Sequence, residues 1–141
     1  MDIEVDRSSA VWRKIQLEDP ELQQLIPLVE AGKKPELYST VQELKPYLRE
    51  WDKLEMMDGV LNRNRIDPET GSKVSQLVLP AVEREQALKG LHDDVGHLGR
   101  ERTLQLVRAR FYWPRMMEDV INKVKTCPAC IRRKAGSSGS Q

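Results

Sequence analysis

Aromatic residues are scarce in this chain, at 5%, and histidine and cysteine occur only twice each. No run approaches the roughly 18 consecutive apolar residues that a membrane-spanning helix needs. Neither does the N-terminus, Met1-Asp2-Ile3-Glu4-Val5-Asp6, show the basic-then-apolar layout of a secretory signal. The expectation is a soluble, intracellular chain. Cys127 and Cys130 are too close together to staple a fold, and in a reducing compartment such a pair reads as metal ligands or redox groups. At 141 residues the chain has room for one domain or two small ones. That length rules out most multi-domain enzymes.

Strong net charge is also missing: the total is +1. Cutting the chain before Pro80 reveals an asymmetry. Residues 1–79 hold 11 Lys+Arg against 15 Asp+Glu, a balance of −4, whereas residues 80–141 hold 12 against 7, a balance of +5. Any surface for a polyanion therefore belongs to the second half.

What is present reads mainly as helix. Asp19-Pro20 is a helix start, followed by Leu22, Leu25, Ile26 and Val29 on one face, with Pro27 expected to kink or shorten it. Val41, Leu44, Leu48 and Trp51 suggest a second helix, with Ser39 and Gln42 as a capping box and Pro46 as an awkward interior residue. From Lys53 the texture changes. Asp58-Gly59 between Leu54–Met57 and Val60–Arg63 is a two-residue hairpin signal, and Val74–Leu79 reads as a third strand. So small an antiparallel meander must pack on a helix, and Leu44, Leu48 and Trp51 are the expected partners.

The second half is expected to hold three short helices. Leu88, Leu91 and Val95 face inward from the first, and Leu104, Val107 and Phe111 from one beginning near Gly99-Arg100. A third opens at Pro114 with Met117, Val120, Ile121 and Val124 inward. Phe111, Tyr112 and Trp113 lie where two helices join, a place for core residues rather than base-stacking ones. The tail Ala135–Gln141 is Gly/Ser-rich, either a flexible linker or an expression scar. The organisation expected is an extension over 1–79, a helical unit over 80–134, and the tail over 135–141.

The scarce ligand types come as two tight pairs. His92 and His97 have four residues between them, and Cys127-Pro128-Ala129-Cys130 is a Cys-x-x-Cys. Four N/S donors suit one tetrahedral Zn²⁺. A thioredoxin-type redox role would need a strand before the cysteines and a helix after them, whereas here a helix precedes. The usual finger with its cysteines first is also excluded, since the histidines lead and the spacer is longer. One structural zinc on His92, His97, Cys127 and Cys130 is the reading. Arg102 and Arg108 on outer or flanking helix positions, with Arg132, Arg133 and Lys134 past the cysteines, are the candidate phosphate contacts.

Leu91-His92-Asp93-Asp94-Val95-Gly96-His97-Leu98-Gly99, Thr103, Phe111-Tyr112-Trp113-Pro114 and Cys127-x-x-Cys130 together resemble the His-His-Cys-Cys zinc domain of integrases, in particular those of gypsy-type LTR retrotransposons. The likeness covers about residues 80–134. Asp58-Gly59-Val60-Leu61 and Gln76–Pro80 resemble the segment preceding that domain. The resemblance implies a zinc-stabilised, helix-turn-helix-like bundle of three helices after an α+β extension, mainly α with a small antiparallel meander. It implies a non-catalytic region that assists DNA binding at element ends and integrase multimerisation, nuclear when in its parent protein. The family's chemistry belongs to a separate RNase H-like core, expected to be absent because the chain stops soon after Cys130. The alternative is a host-adopted module that kept the zinc fold and binds protein, a second copy of itself included.

Overall fold

The computed structural model of the chain describes residues 7–93 and 99–131. Its first helix was not anticipated from the sequence. Ser8 keeps an extended backbone while its hydroxyl accepts the Val11 amide, and α1 (Ser9–Leu17) begins there. Trp12 and Gln16, one turn apart, are its buried residues. α2 (Pro20–Ala31) starts where Asp19 and Pro20 say it should, the Asp19 carboxylate accepting the Glu21 and Leu22 amides. Pro27 does not end it. Pro27 and Gln23, whose carbonyl loses its partner, both lie on the solvent side, so water can replace the missing hydrogen bond.

The second expected helix is broken instead. Gln42–Leu44 is a 3-10 turn, α3 spans only Lys45–Leu48, and Trp51–Lys53 is another 3-10 turn. Pro46 cannot donate inside a helix already running from Ser39, so the helix restarts with proline in its first turn. The capping box fails for the same reason: Ser39 closes a separate turn and its hydroxyl donates to the Glu36 carbonyl.

β1 (Leu54–Met57), β2 (Val60–Ile66) and β3 (Lys73–Val78) form the expected antiparallel meander. Asp58 and Gly59 have φ of 53° and 79°, the two positive values that a tight two-residue hairpin turn demands. A fourth strand corrects the sequence reading. β4 (Phe111–Tyr112) pairs parallel to β3, Leu77 opposite Phe111 and Val78 opposite Tyr112, making a mixed sheet. Phe111 is thus a strand residue, not part of a helical face. Extended backbone sends Phe111 and Trp113 to one side and Tyr112 to the other, so each aromatic finds a core.

The three helices of the second half are present. α4 (Ala81–Leu88) runs into a π-helical turn, Lys89–Asp93; α5 spans Arg100–Arg108 and α6 spans Met116–Thr126. α6 begins at Met116 rather than Pro114, and its buried residues are Met116 and Val120; Met117, expected inside, is 51% exposed. Val95 lies outside the described residues. The chain is mostly helical with a small mixed sheet, and no described helix is long and apolar enough to cross a membrane.

The sheet separates two cores by simple alternation. Val60, Leu79, Phe111 and Trp113 join Trp12, Ala87, Leu88, Leu91, Val107, Met116 and Val120 on one side. Leu61 and Val78 join Leu22, Leu25, Ile26, Leu44, Tyr47 and Leu48 on the other, with Trp51 packed alongside, as expected for the meander's partners. Two polar residues tie the layers. Gln16, fully buried, donates to the Leu61 and Val78 carbonyls and accepts the Leu61 amide. The second Asp19 oxygen accepts the Ala81 amide at 2.9 Å, so one carboxylate caps both α2 and α4.

Candidate metal centre

His92 sits in the π-helical turn that follows α4. One extra residue per turn shifts the chain's angular phase, a device often found at functional sites. Here it leaves Leu91 and His92, adjacent in sequence, both buried, with His92 fully so. Cys127 and Cys130 arrive from the other direction. α6 ends at Thr126, Cys127 adopts an extended backbone, and a turn follows in which the Ile131 amide reaches the Cys127 carbonyl. Both thiols are buried.

These three residues converge. One ligand atom from each of His92, Cys127 and Cys130 lies within 4.8 Å of the others. Cys130 Sγ stands 3.3 Å from His92 Nε2. Bonds of about 2.3 Å to sulfur and 2.0 Å to nitrogen, at the tetrahedral angle, would separate such donors by roughly 3.5–3.8 Å. The three donors and their spacing therefore fit a zinc ion with shifts of up to about 1 Å. The other ring nitrogen of His92 is occupied: Nδ1 meets Thr103 Oγ at 3.1 Å, with Thr103 fully buried on the first turn of α5. With Nε2 toward the Cys130 sulfur, a zinc-bound imidazole would carry its proton on Nδ1 and donate it to Thr103, the usual outer partner of a ligating imidazole.

The sequence identified the ligand pairs but assigned Thr103 no role. Its signal was available: a polar residue one turn before Val107, on the same inward face of α5. His97 lies outside the described residues, as do Arg132, Arg133 and Lys134. Arg102 is exposed and donates to Gln105 of its own helix at 3.0 Å. Arg108 ends α5, half-buried, and its carbonyl accepts from Gln76 of β3. The described candidates Arg102 and Arg108 are thus both on α5.

Residues 79–136 match the family described as the integrase zinc binding domain. That segment is similar to the integrase zinc binding domain. It contains His92, Cys127 and Cys130, so the geometric cluster and the family match fall on the same residues, and both point to zinc. The chain is also similar to Pro-Pol polyproteins of foamy viruses. Identity is 26% over 62 residues with that of simian foamy virus type 3 (strain LK3), covering 44% of this chain and 5% of the relative. With the feline foamy virus polyprotein it is 33% over 51 residues, 36% of this chain and 4% of the relative. The chain thus spans about a twentieth of the length of these curated relatives. No solved structure matches it.

Proposed function

We propose that the chain is the zinc-binding, non-catalytic N-terminal region of an integrase of a gypsy-type LTR retrotransposon. The observation that carries this reading is the burial of His92, Cys127 and Cys130 within reach of one ion, inside the segment similar to the integrase zinc binding domain. His97 is the fourth ligand in this reading, and the site is closed and structural. Residues 1–79 are an extension, residues 80–134 the zinc domain with α4, α5 and α6 in a helix-turn-helix-like arrangement, and 135–141 a linker. When bound, zinc supplies a cross-link between the turn after α4 and the end of α6. His92 orients through Thr103, and the cysteines bring α6 against α5. DNA contact falls to the basic second half, with Arg102, Arg108, Arg132, Arg133 and Lys134 neutralising phosphates. In its parent protein the region works in the nucleus.

A second reading is a host-adopted interaction module. It is favoured by a groove of about 660 Å³ whose apolar lining is Ile121, Val124 and Ile131, flanked by Arg100 and Lys125. The same surface serves multimerisation in the first reading. Elemental analysis and circular dichroism on the full chain test the zinc role. One zinc per chain is expected, and Cys127→Ser/Cys130→Ser should lose both the metal and a large part of the helicity. Full helicity in that metal-free variant overturns the structural role. DNA binding should be weak, tolerant of sequence and steeply weakened by salt. If the zinc-loaded chain binds no duplex at low salt, the interaction module takes precedence.

A further inference from the structure

A cleft of about 380 Å³ opens where β2 and β3 meet the junction of α5, β4 and α6. Four arginines line it, Arg63, Arg65, Arg108 and Arg115, and no carboxylate does. Two come from the extension and two from the zinc-binding segment. Arg63 is committed to the fold. Its guanidinium lies 4.5 Å above the Tyr112 ring, donates to Gln76, and pairs with Glu50 at 2.9 Å. The other three have no ion-pair partner among the described residues. Apart from the Glu50 carboxylate held by Arg63, this positive charge faces no carboxylate within the cleft, an arrangement favourable to an anion.

Arg115 supplies a second, independent observation. Its φ is +65°, in the left-handed region, at the residue where α6 begins. Glycine would adopt that backbone without strain, and an arginine side chain does not. Strain of this kind is retained where the side chain has a use. Arg115 is exposed and lines the cleft, and its side chain makes no capping bond. Beyond Arg65 and Arg108 the adjoining hollow is lined by Asp67 and Glu69, so the positive stretch is bounded on that side.

We propose that this cleft binds the phosphodiester backbone of DNA, with Arg65, Arg108 and Arg115 as its contacts. This rests on the DNA reading above but moves the contact. It places the principal phosphate site at the seam between extension and zinc domain, rather than on the outward side of α5 or past the cysteines. Arginine suits the task because its planar fork of donors pairs with phosphate oxygens. Bases are not read there: Tyr112 is already stacked by Arg63 and Trp113 is fully buried.

The test measures anisotropy of two unrelated labelled duplexes with the zinc-loaded full chain across a series of KCl concentrations. Arg65→Gln and Arg115→Gly should each weaken both duplexes equally. Each should make the dependence of log affinity on log salt shallower by about 0.9 per lost phosphate contact. Arg115→Gly relieves the strained backbone, so its melting temperature and zinc content should not fall. Arg102→Gln, outside the cleft, should weaken binding less than either. If Arg102→Gln weakens binding while the two cleft variants do not, the cleft is wrong and the DNA reading survives. Loss on one duplex alone also overturns the backbone contact. A parent chain that binds neither duplex at low salt overturns both.

Discussion

His92 is held at both ring nitrogens, by a sulfur at 3.3 Å and by a hydroxyl at 3.1 Å. The hydroxyl is the more informative of the two. Thr103 is fully buried, and a threonine on the inward face of α5 would serve the core no better than valine unless its oxygen were used. Thr103→Val keeps the shape and removes the acceptor for the Nδ1 proton. The imidazole then loses its orientation and a buried donor its partner. Zinc affinity should fall about 10–100-fold, the usual cost of losing an outer-shell partner, read by competition with a chromophoric chelator. Unchanged affinity would mean that packing alone orients the ring. The candidate ligands His92, Cys127 and Cys130 were legible in the sequence because histidine and cysteine are so rare here that two tight pairs stand out. Thr103 stood on the inward face of its helix, but its role depends on a neighbour eleven positions away, and Arg115 is marked only by a backbone angle.

At the level of elements, Asp19 does more than its sequence signal promised. One oxygen accepts the Glu21 and Leu22 amides at the start of α2, the other accepts Ala81 at the start of α4, and the side chain is buried. Asp19→Ala should therefore cost more than an ordinary cap. A lost cap is worth about 1 kcal/mol, and losing the charge-assisted, part-buried hydrogen bond from the Ala81 amide adds about 1–3 kcal/mol. The expected loss is about 2–4 kcal/mol in urea unfolding of the zinc-loaded chain. Asp19→Asn should fall between, since its carbonyl oxygen keeps the local cap while its amide cannot accept from Ala81. Equal stabilities for Asn and Asp would show that the bridge to α4 contributes nothing. Local signals were sufficient for the Asp19-Pro20 start and for the Asp58-Gly59 hairpin, because both are decided within a few residues. They failed for β4, whose parallel partner is some 34 positions away and whose two residues carry no periodicity to read. They failed for α3 because the apolar spacing at 44, 48 and 51 survives in the folded chain, with Val41 left exposed, while Pro46 divides the helix.

Across the whole molecule, the sheet is a partition with a hydrophobic core on each side, and neither core belongs to one half of the chain. Trp12 and Val60 sit with Val107, Trp113 and Val120, while Val78 and Tyr112 sit with Leu22 and Tyr47. Leu79, at the seam, is fully buried. Polar ties repeat the pattern: Gln16 clamps β2 and β3, Asp19 reaches α4, and Arg84 of α4 donates to the Tyr47 hydroxyl and lies over the Trp113 ring. Cutting at Pro80 would expose Phe111 and Trp113 on one fragment and leave β3 without β4 on the other. The acidic extension and the basic zinc segment should therefore unfold together. Limited proteolysis of the zinc-loaded chain should leave a fragment spanning α1 through Ile131, with internal cuts confined to the exposed stretch around Lys33 and Lys34. Chelation should open sites in the α1 to β3 region as well as in the zinc segment, because the core containing Trp12 and Val60 is closed by helices that the metal joins. A stable fragment beginning near Pro80, with residues 20–79 digested first, would show instead that the zinc segment folds alone and the extension is only appended to it.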